Sequence, residues 1–159
     1  MLHELITKFS ATREGQIKGI FASLFILQNR LQTVFDHSSP ELTLKQFLLL
    51  VLVRQAPKPQ TLTDLGALLG CSRQNVKKLA AALEQKGFAA ISPCPDDPRA
   101  FVVRPLPGME AYFTHTAQLH SEALELLFAD YSDEETALLF RTLTKLYRGT
   151  ERLEALHHV

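Results

Sequence analysis

Apolar residues recur at three- and four-residue intervals in several separate stretches of the chain, which predicts a mainly helical protein. Ile17, Leu24 and Leu31 are seven residues apart and mark the seam of a long N-terminal helix. The stretch from Thr43 to Val53 is apolar nearly all round and predicts a buried helix. The proline-containing segment QAPKPQ ends this helix, because proline cannot continue the backbone hydrogen-bond ladder.

Two short helices follow in close succession. In TLTDLGALLG the leucines have helical spacing, Thr61 or Thr63 is the cap, and Gly70 is the stop. Ser72 caps the next helix, and Gly87 closes it. The spacing of this second helix predicts a buried face and an opposite, outward face that is basic and carries an amide. The buried face is Val76, Leu79, Ala80 and Leu83, and the outward face is Gln74, Lys77, Lys78 and Ala81.

The pattern changes again after Gly87. FAAIS and AFVVR predict two short strands, and the turn-rich segment PCPDDPR joins them into a hairpin. Two further helices follow. One spans Met109 to Ala129, and the other begins at Ser132, where Ser132 and Glu135 form a capping box, and continues through Leu153.

The composition is that of an ordinary globular protein, with 46% apolar and 21% charged residues. The longest apolar run, Phe47 to Val53, is far shorter than the ~20 residues that span a bilayer, so no membrane partner is expected. The first residues, MLHELITKF, lack the basic start of a signal peptide. Two cysteines do not make a disulfide framework, which fits a reducing compartment. These observations predict a cytoplasmic protein.

Charge is unevenly distributed along a chain whose net charge is zero. Residues 1–40 carry four Lys and Arg against three Asp and Glu, a balance of +1. Residues 41–104 carry nine against five, a balance of +4, and residues 105–159 carry four against nine, a balance of −5. The central segment is therefore the part expected to meet an anion.

The order of helix, short turn, helix and hairpin is that of a winged helix-turn-helix. A helix fits the major groove of B-DNA, where an arginine can pair with guanine, and Gln or Asn with adenine. Lysines on the same face can reach bases or phosphates, and an arginine at the hairpin tip can lie in the minor groove. The candidate DNA-binding residues are Ser72, Arg73, Gln74, Asn75, Lys77, Lys78 and, at the hairpin tip, Arg99.

The segment TLTDLGALLGCSRQNVKKLAAALEQKGF, followed by DDPRAFVVR, resembles the MarR (multiple antibiotic resistance regulator) family of transcriptional regulators. Leu83, Lys86 and Gly87 match the family's L-x-x-K-G at the end of the recognition helix, and Asp97 and Arg99 match its wing signature. The resemblance extends over nearly the whole chain from about residue 17. One departure is RPLPGM after the wing, which lacks the family's Thr cap, although a proline can also start a helix.

The resemblance implies a homodimer that binds a pseudo-palindromic operator on double-stranded DNA, more commonly as a repressor. It implies three parts: an N-terminal dimerisation helix (1–40), a winged helix-turn-helix (41–106) and C-terminal dimerisation helices (107–159). It also implies that the Asp97 carboxylate orients the Arg99 guanidinium. Many relatives bind a small aromatic effector between the dimerisation and DNA-binding parts. Aromatic residues that either line such a pocket or belong to the core are Phe21, Phe25, Phe47, Tyr112 and Phe113.

Other chemistry has weaker support in the sequence. Cys71 is expected in buried packing and Cys94 near the wing tip, and nothing marks either thiol as a redox sensor. His115 and His120 are five residues apart, on different sides of a helix, so no metal site and no cofactor are predicted. No catalytic motif is present, which predicts a non-enzyme. The alternatives to a DNA-binding regulator are a winged-helix module that binds protein and a ligand sensor without an operator.

Overall fold

The computed structural model describes residues 2–157, and the chain divides into two compact units between Ala111 and Tyr112. The structure is mainly helical with a small antiparallel sheet, which confirms the predicted fold class. The predicted three-part division at residues 40 and 106 stays a prediction. The elements in chain order are α1 (Leu2–Ser10), α2 (Arg13–Ser38), α3 (Leu44–Gln55), β1 (Gln60–Thr61), α4 (Leu62–Leu69), α5 (Arg73–Gln85), β2 (Ala89–Pro93), β3 (Phe101–Pro105), α6 (Pro107–Leu127), α7 (Asp133–Leu143) and α8 (Lys145–His157).

The first unit is built around one apolar core between α3, α4, α5 and the sheet. Leucines and valines recur at helical spacing, so they lie along one side of each helix, and that side faces the core. Its most completely buried large side chains are Leu42, Leu49, Leu50, Leu62, Leu65, Val76, Leu83 and Val103. Helix α3 begins with a full capping box between Thr43 and Gln46, which satisfies backbone N–H groups that no helical carbonyl can reach.

The turn between α4 and α5 is held by two glycines. Gly70 closes α4 in the left-handed region, with φ of 64°, and the N–H of Cys71 donates to the carbonyl of Gly66 at 2.9 Å. A Cβ on Gly66 would lie 2.7 Å from the carbonyl oxygen of Cys71. The backbone of the turn therefore crosses α4 at a distance that only glycine allows.

The sheet has three strands in the order β1, β3, β2, all antiparallel. Two strands were predicted, and the structure corrects this in two ways. Strand β1 was missed, because two residues are too few for a periodic pattern. Strands β2 and β3 each begin one residue later than predicted, because the preceding N–H groups belong to turns: Phe88 donates to Leu83 and Ala100 to Asp97.

Helix α6 begins at Pro107 without a Thr cap, and its first turn is fixed to the rest of the first unit in two ways. A Cβ on Gly108 would lie 2.5 Å from the carbonyl oxygen of Gly87, so α6 starts in direct backbone contact with the end of α5. The Arg54 guanidinium of α3 makes a bidentate pair with the Glu110 carboxylate, at 3.0 and 2.9 Å.

Helix α1 was not predicted from the sequence. It packs against the start of α2, where a Cβ on Gly15 would lie 2.7 Å from the carbonyl oxygen of Phe9. At Gly19 the nearest atom to an added Cβ would be the Cβ of Phe9, at 3.0 Å. These two glycines let the helices approach closely. Helix α2 itself is longer at both ends than the apolar seam that predicted it, and Thr12 caps it.

The second unit consists of the rest of α6, α7 and α8. Ser132 and Glu135 form the capping box that the sequence predicted at the start of α7. The helix predicted from Ser132 through Leu153 is not continuous, because it breaks at Thr144 between α7 and α8. The Thr144 hydroxyl donates to the carbonyls of Phe140 (2.9 Å) and Arg141 (3.2 Å), and such side-chain bonds compete with the helical ladder.

Replacing Gly66 with alanine should lower the free energy of unfolding by about 1–3 kcal/mol, because the new Cβ overlaps a backbone carbonyl that cannot move alone. The matched control is Gly149→Ala on α8, where the nearest heavy atom to an added Cβ is 3.9 Å away. That control should leave stability unchanged or raise it by up to about 1 kcal/mol. Urea unfolding of both variants measures the difference. Equal effects of the two substitutions would contradict the close approach at Gly66.

Candidate nucleic-acid interface

Helix α5 is oriented by its cap and its buried face. The Ser72 hydroxyl accepts the N–H of Asn75 at 3.2 Å, which starts the helix where the sequence predicted. Val76, Ala80 and Leu83 have no exposed surface, so rotation of α5 about its own axis would expose apolar area. The opposite face must therefore point outward, and Gln74, Lys77 and Lys78 are all exposed on it. Ala81, predicted on the same face, is half-buried.

The wing turn between β2 and β3 is held by backbone hydrogen bonds at its base and a carboxylate at its tip. The N–H of Cys94 donates to the carbonyl of Ala100 at 2.9 Å. The Asp97 carboxylate accepts the backbone N–H of Arg99 at 2.9 Å, so this side chain shapes the turn that carries Arg99. The Arg99 side chain is exposed.

Three side chains that the sequence did not single out for this purpose fix the wing and α5 within the domain. The Glu84 carboxylate accepts the N–H of Ile91 in β2 at 3.0 Å, and Arg104 of β3 donates to the Ser92 hydroxyl at 2.9 Å. Lys86, noted only as part of a family signature, donates to the carbonyl of Glu41 and, at 3.1 Å, to the side chain of Gln46. The lysine before Gly87 therefore joins the end of α5 to the start of α3.

A polar cleft of about 210 Å³ lies between the start of α4, the start of α5 and the wing. The structure brings Arg73 and Arg99 together here, although they belong to different elements, and Asp97 lines the same cleft. Thr63 also lines the cleft, although the sequence analysis did not predict it as a site residue. The sequence signal that could have indicated it is its place as the second residue of the short helix α4. The complete lining is Thr61, Leu62, Thr63, Arg73, Asp97, Arg99, Ala100 and Phe101.

A larger groove of about 590 Å³ lies on the other side of α5, between this helix, α2 and α3. Two of the residues predicted to bind DNA, Asn75 and Lys78, line this groove, together with Lys45 and Cys71. Its complete lining is Gln28, Gln32, Leu44, Lys45, Leu48, Leu69, Gly70, Cys71, Asn75, Lys78 and Leu79. The residues predicted to read DNA are therefore divided between a narrow cleft, an exposed face and a broad groove.

The aromatic residues predicted for an effector pocket lie elsewhere than this groove. Phe21 and Phe25 are exposed neighbours on α2, with ring centroids 5.0 Å apart. Phe47 of α3 packs against Phe35 of α2 at the same centroid distance. In the second unit, Tyr112 is buried and contacts Phe113, with centroids 5.5 Å apart.

The structure also bears on metal and thiol chemistry. Within residues 2–157 no group of three His, Cys, Asp or Glu side chains is placed to hold a metal ion. Burial lowers the pKa of His120, which favours its neutral form. Cys71 and Cys94 are both half-buried free thiols. Among the helices described, none is both long and apolar enough to cross a bilayer.

Comparisons with known proteins bear on this domain and on the whole fold. Residues 42–101 match the model of the MarR family. The uncharacterized HTH-type transcriptional regulator YcgE of Bacillus subtilis (strain 168) is 31% identical over 87 residues, which are 55% of this chain and 56% of that relative. The chain thus matches about half the length of this relative.

Two of the solved structures that share the fold along most of the chain contain DNA. One is Sco3205, a MarR family transcriptional regulator from Streptomyces coelicolor in complex with DNA, with a TM-score of 0.72 and 20% identity over 87% of this chain and 88% of that one. The other is a mutant MarR from E. coli complexed with operator DNA, with a TM-score of 0.71 and 22% identity over 86% of this chain and 99% of that one. At these identities the likeness concerns the fold.

Replacing Ser72 with alanine should lower the free energy of unfolding by about 1 kcal/mol, since α5 then has no acceptor for the N–H of Asn75. Ser72→Asn supplies another capping oxygen and should restore most of the stability. Chemical unfolding of both variants tests this. If the two variants were equally destabilised, the hydroxyl would not be acting as the cap.

Proposed function

We propose that this chain is a sequence-specific DNA-binding transcriptional regulator of the MarR family, whose model residues 42–101 match. The observation that carries the proposal is the exposed basic face of α5 beside an arginine-bearing wing within the matched domain. The two structural relatives named above were solved with DNA, which supports the same partner here. The match to this family also agrees with the prediction that the chain is not an enzyme.

The charge of the domain fits a DNA backbone. Residues 41–104 have a balance of +4, whereas the following residues are acidic, so the attraction to phosphate is local. Gln74 and Lys77 are exposed near the N-terminus of α5, the end of a recognition helix that approaches base edges in the major groove. We assign base reading to Gln74 and a base or phosphate contact to Lys77. The wing brings Arg99 to the flank of the same site.

A homodimer is the second part of the proposal. Monomeric proteins rarely leave large contiguous apolar patches exposed, yet both units here carry large exposed apolar side chains on their helices. In α2 the seam residues Ile17, Leu24 and Leu31 are all exposed. In the second unit, Leu126 is 79% exposed, and Phe140 and Leu156 are each 72% exposed. A second copy of the chain would cover these faces and present two copies of α5 to an inverted repeat.

Repression and effector control complete the proposal. A dimer bound across a promoter blocks access of polymerase, which makes a repressor the simplest mode. The groove beside α5 has the size of a small-molecule site and is lined by Asn75 and Lys78. A ligand in this groove would contact the DNA-reading helix itself and so change its affinity for DNA. The alternative pocket with Phe21, Phe25, Phe47, Tyr112 and Phe113 remains a prediction.

Selection of duplexes from a random library at moderate salt should enrich an inverted repeat with half-sites about 10 bp apart. Gln74→Ala should then change the preferred sequence, at a cost of about 1–3 kcal/mol in binding free energy at the base pair it reads.

Lys77→Ala should weaken binding to the selected duplex. If this lysine meets a phosphate, the salt slope, which is the fall of the logarithm of the binding constant with the logarithm of the salt concentration, should decrease by about 0.9 for each phosphate that is no longer neutralised.

The matched control for these variants is Lys145→Ala, which removes an exposed lysine from α8 and should leave both sequence preference and salt slope unchanged. Absence of any enriched or bound duplex for the native protein would overturn the proposed function. That outcome would favour a protein as the partner of the exposed face of α5.

Placing a charge on the exposed apolar face of the second unit should separate the dimer. Leu126→Glu and Phe140→Glu should shift the protein toward monomer in sedimentation equilibrium and weaken binding to the two-half-site duplex, because each half-site is then bound independently. The control Leu68→Glu, at an exposed apolar position on α4, should leave the dimer intact. A native protein that sediments as a monomer at micromolar concentration would contradict this part of the proposal.

A further inference from the structure

The polar cleft combines two arginines from different elements of the first unit. Within residues 2–157, the guanidinium groups of Arg73 and Arg99 have no hydrogen-bond or ion-pair partner, and both line the cleft of about 210 Å³. Isolated surface arginines are commonplace, but two on facing elements around one small concave site are the arrangement that binds an oxyanion. The cleft therefore has its own recognition chemistry, separate from the outward face of α5.

The two carboxylates near the cleft, and one hydroxyl of its lining, already take part in hydrogen bonds. The Asp97 carboxylate accepts the backbone N–H of Arg99, and the Asp64 carboxylate accepts the Thr61 hydroxyl at 2.7 Å. The hydroxyl of Thr63, at the second residue of α4, has no hydrogen bond in the described part of the chain and adds a donor. The N-terminal end of α4 contributes a further favourable dipole. The lining of the cleft therefore has a net positive charge, since it contains two arginines, Arg73 and Arg99, and one carboxylate, Asp97.

The position of the cleft identifies the anion. If α5 lies in the major groove and the wing lies in the neighbouring minor groove, one sugar-phosphate strand separates them, because that strand is the wall between the two grooves. The cleft occupies this intermediate position, between the start of α5 and the wing turn. We propose that the cleft binds a single backbone phosphate of the DNA, held jointly by Arg73 and Arg99 with Thr63 as a third donor. This inference rests on the proposed function.

The joint site changes the role of both arginines. The sequence alone suggested that Arg73 pairs with guanine and that Arg99 lies in the minor groove. On one phosphate, neither reads a base; together they fix the register of α5 and the wing on the duplex. Sequence preference is then left to the exposed face around Gln74, and the wing acts as the second half of a phosphate clamp.

A double-mutant cycle on the selected duplex tests the clamp. Arg73→Gln and Arg99→Gln should each weaken binding about tenfold and leave the preferred sequence unchanged, because a charge-assisted hydrogen bond to phosphate is removed. The double variant should be little weaker than either single variant, and its salt slope should fall by only about 0.9 per protomer, since only one phosphate is released. Arg148→Gln, on exposed α8, is the control for removal of one positive charge.

A duplex with a neutral methylphosphonate at one position locates the phosphate. At the correct position the native protein should bind as weakly as the double variant binds ordinary DNA, and the double variant should be indifferent to the replacement. Multiplicative effects in the double variant, or a changed base preference in either single variant, would overturn the clamp while the proposed function stands. A native protein that binds no duplex would overturn both.

Discussion

The geometry of the candidate site depends on the burial of one side of α5. Val76, Ala80 and Leu83 are fully buried against the rest of the first unit, and a backbone contact at Gly66 brings the following turn against α4. Rotating α5 would expose this apolar surface, and moving its start away from α4 would break the hydrogen bond from the N–H of Cys71 to the carbonyl of Gly66. The outward direction of Gln74 and Lys77 is thus set by packing on the opposite side of the helix.

The wing is joined to the rest of the first unit by hydrogen bonds as well as by the apolar core, in which Val102 and Val103 of β3 are buried. The Glu84 carboxylate at the end of α5 holds the middle of β2, and Asp97 shapes the tip that carries Arg99. Lys86 ties the same end of α5 to the start of α3. The helix and the wing are therefore held in one orientation, which is a condition for binding two neighbouring features of a duplex at once.

The two concave surfaces beside α5 differ in chemistry. The narrow cleft is polar and contains both arginines, which suits a phosphate. The broad groove combines leucines with amides and two lysines, which suits a small organic ligand. Since Asn75 and Lys78 line the groove while Arg73 lines the cleft, one short helix connects DNA contact with the proposed ligand site.

The sequence by itself determined the helices with strong apolar periodicity, the caps at Ser72 and Ser132, and the outward face of α5, because these follow from local spacing and local hydrogen bonds. Strand β1, the packing of α1 on Gly15 and the break at Thr144 carry no such periodic signal, and only the tertiary structure showed them. That Arg73 and Arg99 line the same cleft was also visible only in the structure. Residues distant in the chain meet only when the core fixes the turn, the helix and the wing relative to one another.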